Sequence, residues 1–225
     1  MNYYDKNLIK YIDPSIVLHP LFDDWLIYVE DILLHDEFQK RKLFPHHHNL
    51  SVWDHSILVS FKSFLAAKYF NADARICAIA GLLHDFYTQA WLYSDDLLKI
   101  DDGKYLKDYG IRKPLFKMHG FTHGADAAVN YVKFFPELEH KKITDAIKKH
   151  MFPLTIKPPE YKEGVIVTAI DKLNSVREMA FIDIHKCFVM TLEEQVVFLK
   201  TKNESFDPYI LKLIDYYKKE LENGR

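Results

Sequence analysis

The chain is poor in cysteine: only Cys77 and Cys187 occur among its 225 residues, and neither stands in a CxxC spacing. That absence excludes a disulfide framework and a thiolate zinc site, and both thiols, set in apolar helical patterns, are expected to be buried. Charge of one sign is also missing. The 30 Lys and Arg against 32 Asp and Glu leave a formal net charge of −2, which offers no broad electrostatic attraction to nucleic acid or to an anionic lipid surface. Charges interrupt every apolar run well before the roughly 20 residues that a bilayer-spanning helix needs. Residues 1–6 carry no basic segment leading into an apolar stretch, so a cytosolic protein is expected. Glycine and proline are scarce, at 7 and 9 residues, whereas apolar side chains make up 48% and aromatics 15%. This balance favours a packed globule over a disordered chain, and the length suits one large domain over 1–225.

Repeats and low-complexity tracts are absent too, and what remains divides into segments of helical length. Residues 14–43 read as one or two amphipathic helices, with Trp25, Leu26, Val29, Ile32 and Leu33 recurring at spacings of three and four. Pro45 breaks that pattern, and His46, His47 and His48 lead into an apolar-periodic stretch over 51–70. Asn71 reads as the N-cap of the next helix, in which Ile76, Ala80, Leu83 and His84 share a face. Residues 94–114 read as a long loop or a short helix flanked by loops. Further helices are predicted over 123–134 and 141–150, the latter ended by Pro153. Beyond Pro158-Pro159, Val165, Ile166, Ala169, Ile170 and Leu173 form a helical face, although 164–170 alone would pass for a buried strand. A capping box at Thr191-Leu-Glu-Glu194 and an Asp207-Pro208 start mark two more helices. The predicted fold class is all-α.

On this map His55 lies in one helix, His84-Asp85 end the next, His150 ends a later one, and Asp171 sits within another. A lone histidine on an apolar face is more often a satisfied core residue than a ligand. A buried aspartate is harder to dismiss, because an interior carboxylate is costly unless a cation or strong donors meet it. Neighbours on a helix diverge by about 100°, so His84 and Asp85 reach one point only near a helix end. In Ile79-Ala-Gly-Leu-Leu-His-Asp85 the helix stops there, and Gly81 permits a close approach of helices beside it. Imidazole with carboxylate suits Mn, Fe, Co, Ni or Zn, and Mg where water fills most positions.

His55, His84-Asp85 and Asp171 resemble, in order and spacing, the H…HD…D signature of the HD superfamily of metal-dependent phosphohydrolases, over roughly 46–180. Helical extensions then occupy 1–45 and 181–225. A narrower likeness, to small bacterial HD-domain proteins, lies in His119-Gly-Phe-Thr-His123, in Lys149-His-Met-Phe-Pro-Leu-Thr-Ile-Lys-Pro-Pro159 and in Ile170-Asp-Lys172. The resemblance implies an all-helical bundle and one or two divalent ions held by His55, His84, Asp85 and Asp171. It also implies hydrolysis of a nucleotide or other small phosphorylated metabolite by metal-activated water. A non-catalytic metal- or nucleotide-binding module and a di-iron oxygenase are the alternatives. His123-Gly-Ala-Asp-Ala-Ala128 is similar to the HPxxGA context of two-metal members with Gly124 in place of Pro, which makes His123 and His150 candidates for a second ion bridged by Asp85. Met151 stands where such members often have a second histidine, and Ala90 where the narrower group often has an Asp before Trp91. His119 reads as a ligand, a substrate contact or a cap, with Gly120 placing it in the approach loop. Of the three loop histidines, His47 is the one that the resemblance points at the metal. Lys172 is a candidate for balancing phosphate charge or for a salt bridge to Glu178, while Lys148 and Lys149 read as a solvated face. His19, His35, His140 and His185 are assigned to surface or packing.

Overall fold

The computed structural model describes residues 11–44, 46, 50–87 and 119–179. Among them the fold is all-α, without a strand. Its helices are α1 (Pro14–Val17), α2 (Phe22–Leu34), α3 (Asp36–Gln39), α4 (Val52–Tyr69), α5 (Ala74–Leu83), α6 (His119–Phe134), α7 (Lys141–Lys149) and α8 (Lys162–Met179), with 3₁₀ turns at Lys40–Leu43 and Pro136–Leu138. The expected loop at 94–114, the helices after Thr191 and Asp207, Cys187 and His185 lie outside the described residues. Among the described residues no helix is long and apolar enough to cross a membrane.

The antiparallel pair α4 and α5 forms the centre; α8 lies against both, α7 packs on α5, α6 and α8, and α2 covers the outer side of α5. The stripe predicted on α2 is the one buried: Trp25, Leu26, Val29, Ile32 and Leu33 are all exposed by 1% or less, each contributing about 1.5–3 kcal/mol. Trp25 Nε1 donates to Ser60 Oγ at 2.9 Å, and Ser60 Oγ donates to the Ala78 carbonyl at 2.7 Å, so one polar relay ties α2, α4 and α5 together. Gly81 is needed at the next turn, where an added Cβ would lie 2.9 Å from Ser60 Cα. Residues 14–43 hold three α-helices, and α2 is separated from α3 because His35 takes an extended conformation (φ −70°, ψ 127°) and caps α3, its Nδ1 accepting from Glu37 N at 3.1 Å.

The local start signals differ from the sequence reading in one place. Asp73 caps α5, its side chain accepting from Ile76 N, whereas Asn71 takes a left-handed φ of 51° in the preceding turn, a conformation that asparagine tolerates better than most residues. On α4 a capping box joins Ser51 and Asp54. Residues 164–170 are helical, but the buried face is rotated from the apolar one expected, keeping Ile166 and the half-buried Ile170 and losing Val165, Ala169 and Leu173. Glu163, Ile166, Val167, Asp171 and Asn174 point inward, while Val165 and Leu173 are 53% and 62% exposed. The inward face carries polar residues, and a hydrophobic count assigns those to solvent. Cys77 is buried as expected, and desolvation pushes its thiol up to about 12, so it is an inert packing group.

Candidate metal centre

Each helix delivers its ligand-type side chain at a defined point. The capping box at Ser51 fixes where α4 begins, so His55 falls in its first buried turn and is fully enclosed. The helical run of α5 stops at Leu83, which frees Asp85 from the 100° divergence. His84 is 0% and Asp85 5% exposed. Phe86 anchors the departing chain against Phe38, Phe134 and Phe135, with the Arg41 guanidinium 4.3 Å over its ring, and Asn130 Nδ2 donates to its carbonyl at 3.0 Å. His150 follows the last turn of α7, and His123 and Asp171 lie on α6 and α8; all three are buried. The path of α6 past α7 requires Gly124, where a Cβ would lie 3.0 Å from the Lys148 carbonyl oxygen and 3.3 Å from His150 Cε1.

The predicted set converges. His55 Nε2 is 3.2 Å from Asp171 Oδ1, and His84 Nε2 is 3.7 Å from that oxygen and 3.4 Å from Asp85 Oδ2. The other Asp85 oxygen, Oδ1, lies 3.3 Å from His123 Nε2 and 3.6 Å from His150 Nε2, and those two nitrogens are 2.9 Å apart. Ligands bonded to one ion at about 2.1 Å stand about 3.0 Å apart at 90° and about 3.6 Å apart at 120°. The observed separations therefore match donors arranged around a cation.

Tautomers strengthen the fit. A carbonyl only accepts, so Nδ1–H of His84 donates to the Gly81 carbonyl at 2.8 Å and that of His150 to the Ile147 carbonyl at 2.7 Å. In the neutral ring each Nε2 is then a bare lone pair turned into the cluster. Burial, with His123 and His84 beside it, pushes His150 down to about 3, so it is neutral and accepts from His123 Nε2–H. His84 Nε2 and Asp85 Oδ1 are buried without a hydrogen-bond partner. A lone pair facing two carboxylates is repulsive unless a cation stands between them, and that is the observation by which the donors fit a metal ion. Burial alone would raise both carboxyls. Without a metal, positive charge on the neighbouring imidazoles, His84 and His123 for Asp85 and His55 and His84 for Asp171, holds both well below the ordinary carboxylate range.

Three overlapping groups have metal-ligating geometry: His55, His84 and Asp171; His84, Asp85 and His150; and His46, His55 and Asp85. Buried His/Asp clusters here could hold a metal ion. His46 was not singled out in sequence, where three consecutive histidines carry no periodicity to rank them, and His47 lies outside the described residues. The backbone of α6 is helical from His119, so Gly120 sits inside the first turn instead of in an approach loop; its propensity cost of about 1 kcal/mol is small against tertiary packing. Lys172 Nζ lies 2.8 Å from Asp171 Oδ2 and 3.2 Å from Met151 Sδ, so its ion pair is with the adjacent Asp171. Lys148 is exposed as expected, but the Lys149 side chain is only 14% exposed and pairs with Asp145 at 2.5 Å and Glu160 at 2.7 Å. His19, His35 and His140 each accept a backbone N–H two residues on, which makes them local turn and helix caps. Comparison with protein-family models, with curated proteins and with solved structures finds no match for this chain, so the likeness to the HD superfamily rests on the ordered residues themselves.

Proposed function

We propose that the protein is a metal-dependent phosphohydrolase of HD type acting on a nucleotide or another small phosphorylated metabolite. The observation that carries the metal-dependent part is the pair of buried atoms with no hydrogen-bond partner, His84 Nε2 and Asp85 Oδ1, inside a ring of imidazole and carboxylate donors. The hydrolytic part rests on the order of His55, His84-Asp85 and Asp171 and on a cation placed beside them.

A divalent ion at this position supplies an acidified water and neutralises phosphate charge. Around it, this chain's residues have separable tasks. Asp85 turns one oxygen to His84 and the other to His123 and His150, so it is the group able to serve two ions. Asp171 is steadied by Ser175 Oγ, which donates to Oδ1 at 3.3 Å, and by Lys172 on Oδ2. The Lys172 side chain is 36% exposed, so it can present charge to an incoming phosphate while the ligands behind it stay dry. The Gly81 and Ile147 carbonyls lock two imidazoles in the ligating tautomer.

The test is the metal content of the purified protein together with a screen of phosphorylated metabolites. Bound divalent metal with metal-dependent release of phosphate supports the reading. Bound metal or nucleotide without turnover would replace it with a binding module, and a di-iron spectrum with oxygen consumption would replace it with an oxygenase.

A further inference from the structure

We infer that His46 is a direct ligand on the His55/Asp85 side of the centre, so that the coordination is asymmetric and substrate is received on the His123/His150 side. The inference rests on the metal-dependent reading above. His46 lies outside any helix, on a strap pinned at both ends: His46 N donates to the Leu50 carbonyl at 2.9 Å, and Val52 N donates to the Phe44 carbonyl at 2.8 Å. Phe44 in turn stacks on Tyr87, two residues beyond Asp85. The strap thus holds a buried imidazole, 8% exposed, with its ring centroid 4.0 Å from that of His55. A ligating nitrogen of His46 falls within 4.8 Å of those of His55 and of an Asp85 oxygen, the spread expected of donors to a single ion.

Counting donors gives the consequence. Among the described residues, His46, His55 and Asp85 form one ligand group and His55, His84 and Asp171 an overlapping one, whereas His123 and His150 share the other side through Asp85 Oδ1. Metal sites that only hold structure are closed, and sites that react keep positions open. Among the described residues the His123/His150 side offers the fewer donors, which assigns substrate to that side.

Co2+ alone is the probe, titrated into the metal-free full chain. Wild type, His46→Gln and His46→Cys are compared for chelator-competed affinity and for visible and near-ultraviolet absorption. The expected result is at least a tenfold rise in Kd of the tighter class of site in His46→Gln with the weaker class unchanged, which also shows that the fold is intact. In His46→Cys a thiolate-to-Co2+ charge-transfer band should appear. A tight-site Kd and spectrum unchanged in His46→Gln overturn the inference while leaving the metal reading standing. A changed Kd without a charge-transfer band in His46→Cys also overturns it, because His46 is then a positioning residue. Absence of Co2+ binding to wild type defeats the metal reading itself.

Discussion

Asp85→Asn removes one negative charge from the point where two of the three ligand groups meet, and it keeps the size and shape of the side chain. In the metal-free protein this change gives up only the contacts of the carboxylate with His84, His123 and His150. With metal it is severe, because among the described residues Asp85 is the one with an oxygen on each side of the centre. A ligand present at 100 times its Kd stabilises the folded state by about 2.7 kcal/mol. For a chain of this length about 1 kcal/mol moves Tm by roughly 2–4 °C, so wild type should gain about 5–11 °C. If the substitution weakens affinity about 100-fold, the same metal concentration equals the Kd and the gain falls to about 0.4 kcal/mol, or roughly 1–2 °C. Differential scanning fluorimetry with Mn2+, Co2+ or Zn2+ against a chelated control reads both numbers. Equal metal-induced shifts in wild type and Asp85→Asn would refute the role given to this carboxylate.

Other consequences follow from single contacts. Lys172→Ala removes a cation that competes for Asp171, so metal affinity should hold or tighten while metal-dependent phosphate release falls at least tenfold; loss of bound metal would contradict this. Gly81→Ala puts a Cβ 2.9 Å from Ser60 Cα, and such overpacking costs about 1–3 kcal/mol, visible as a lowered urea midpoint with an unchanged slope. The pH dependence of the metal-free protein has a defined sign. His150 is held down to about 3 in the folded state, so between its ordinary value near 6.5 and that point only the unfolded chain takes up its proton. Stability should therefore decrease as pH is lowered across this window, by up to about 1.4 kcal/mol per unit. The depressed Asp85 and Asp171 act only below the ordinary carboxylate value of 3.8, at the foot of this window and below the pH range of the test. His150→Gln should flatten the urea-derived stability between pH 6.5 and 5; an unchanged slope would return His150 to an ordinary packing histidine.

How much of the fold was legible depended on whether a residue's role left a period in the sequence. The α2 stripe from Trp25 to Leu33 did so, because solvent exclusion alone places those side chains. The ending of α5 at His84-Asp85 was legible for a geometric reason, since two adjacent ligands demand a helix end. The orientation of α8 was not, because Asp171 and Asn174 face inward for the sake of the cluster and its flank, and that turns Val165 and Leu173 to solvent. Here burial of polar groups decides the rotation of the helix, and a hydrophobic pattern has no term for it.

His46 marks the limit more sharply. Three identical residues in a row give no ranking by type, and a strap outside a helix gives none by spacing. What selects one of them is a pair of backbone hydrogen bonds between residues 44–52 and the distance from that strap to His55, both set only once α4 and α5 are packed. The helix-borne ligands are fixed by elements whose positions the whole core enforces, so their removal should cost affinity at a geometry that does not change. His46 lies outside those elements, between the backbone hydrogen bonds of Phe44 with Val52 and of His46 with Leu50. A substitution that loosens the strap without touching any ligand, Phe44→Ala, removes the stack on Tyr87 and should raise the Kd of the tighter Co2+ site several-fold while the weaker site keeps its affinity. Equal weakening of both sites would mean that Phe44 supports the centre as a whole, and unchanged affinity at both would mean that the strap is held without that stack.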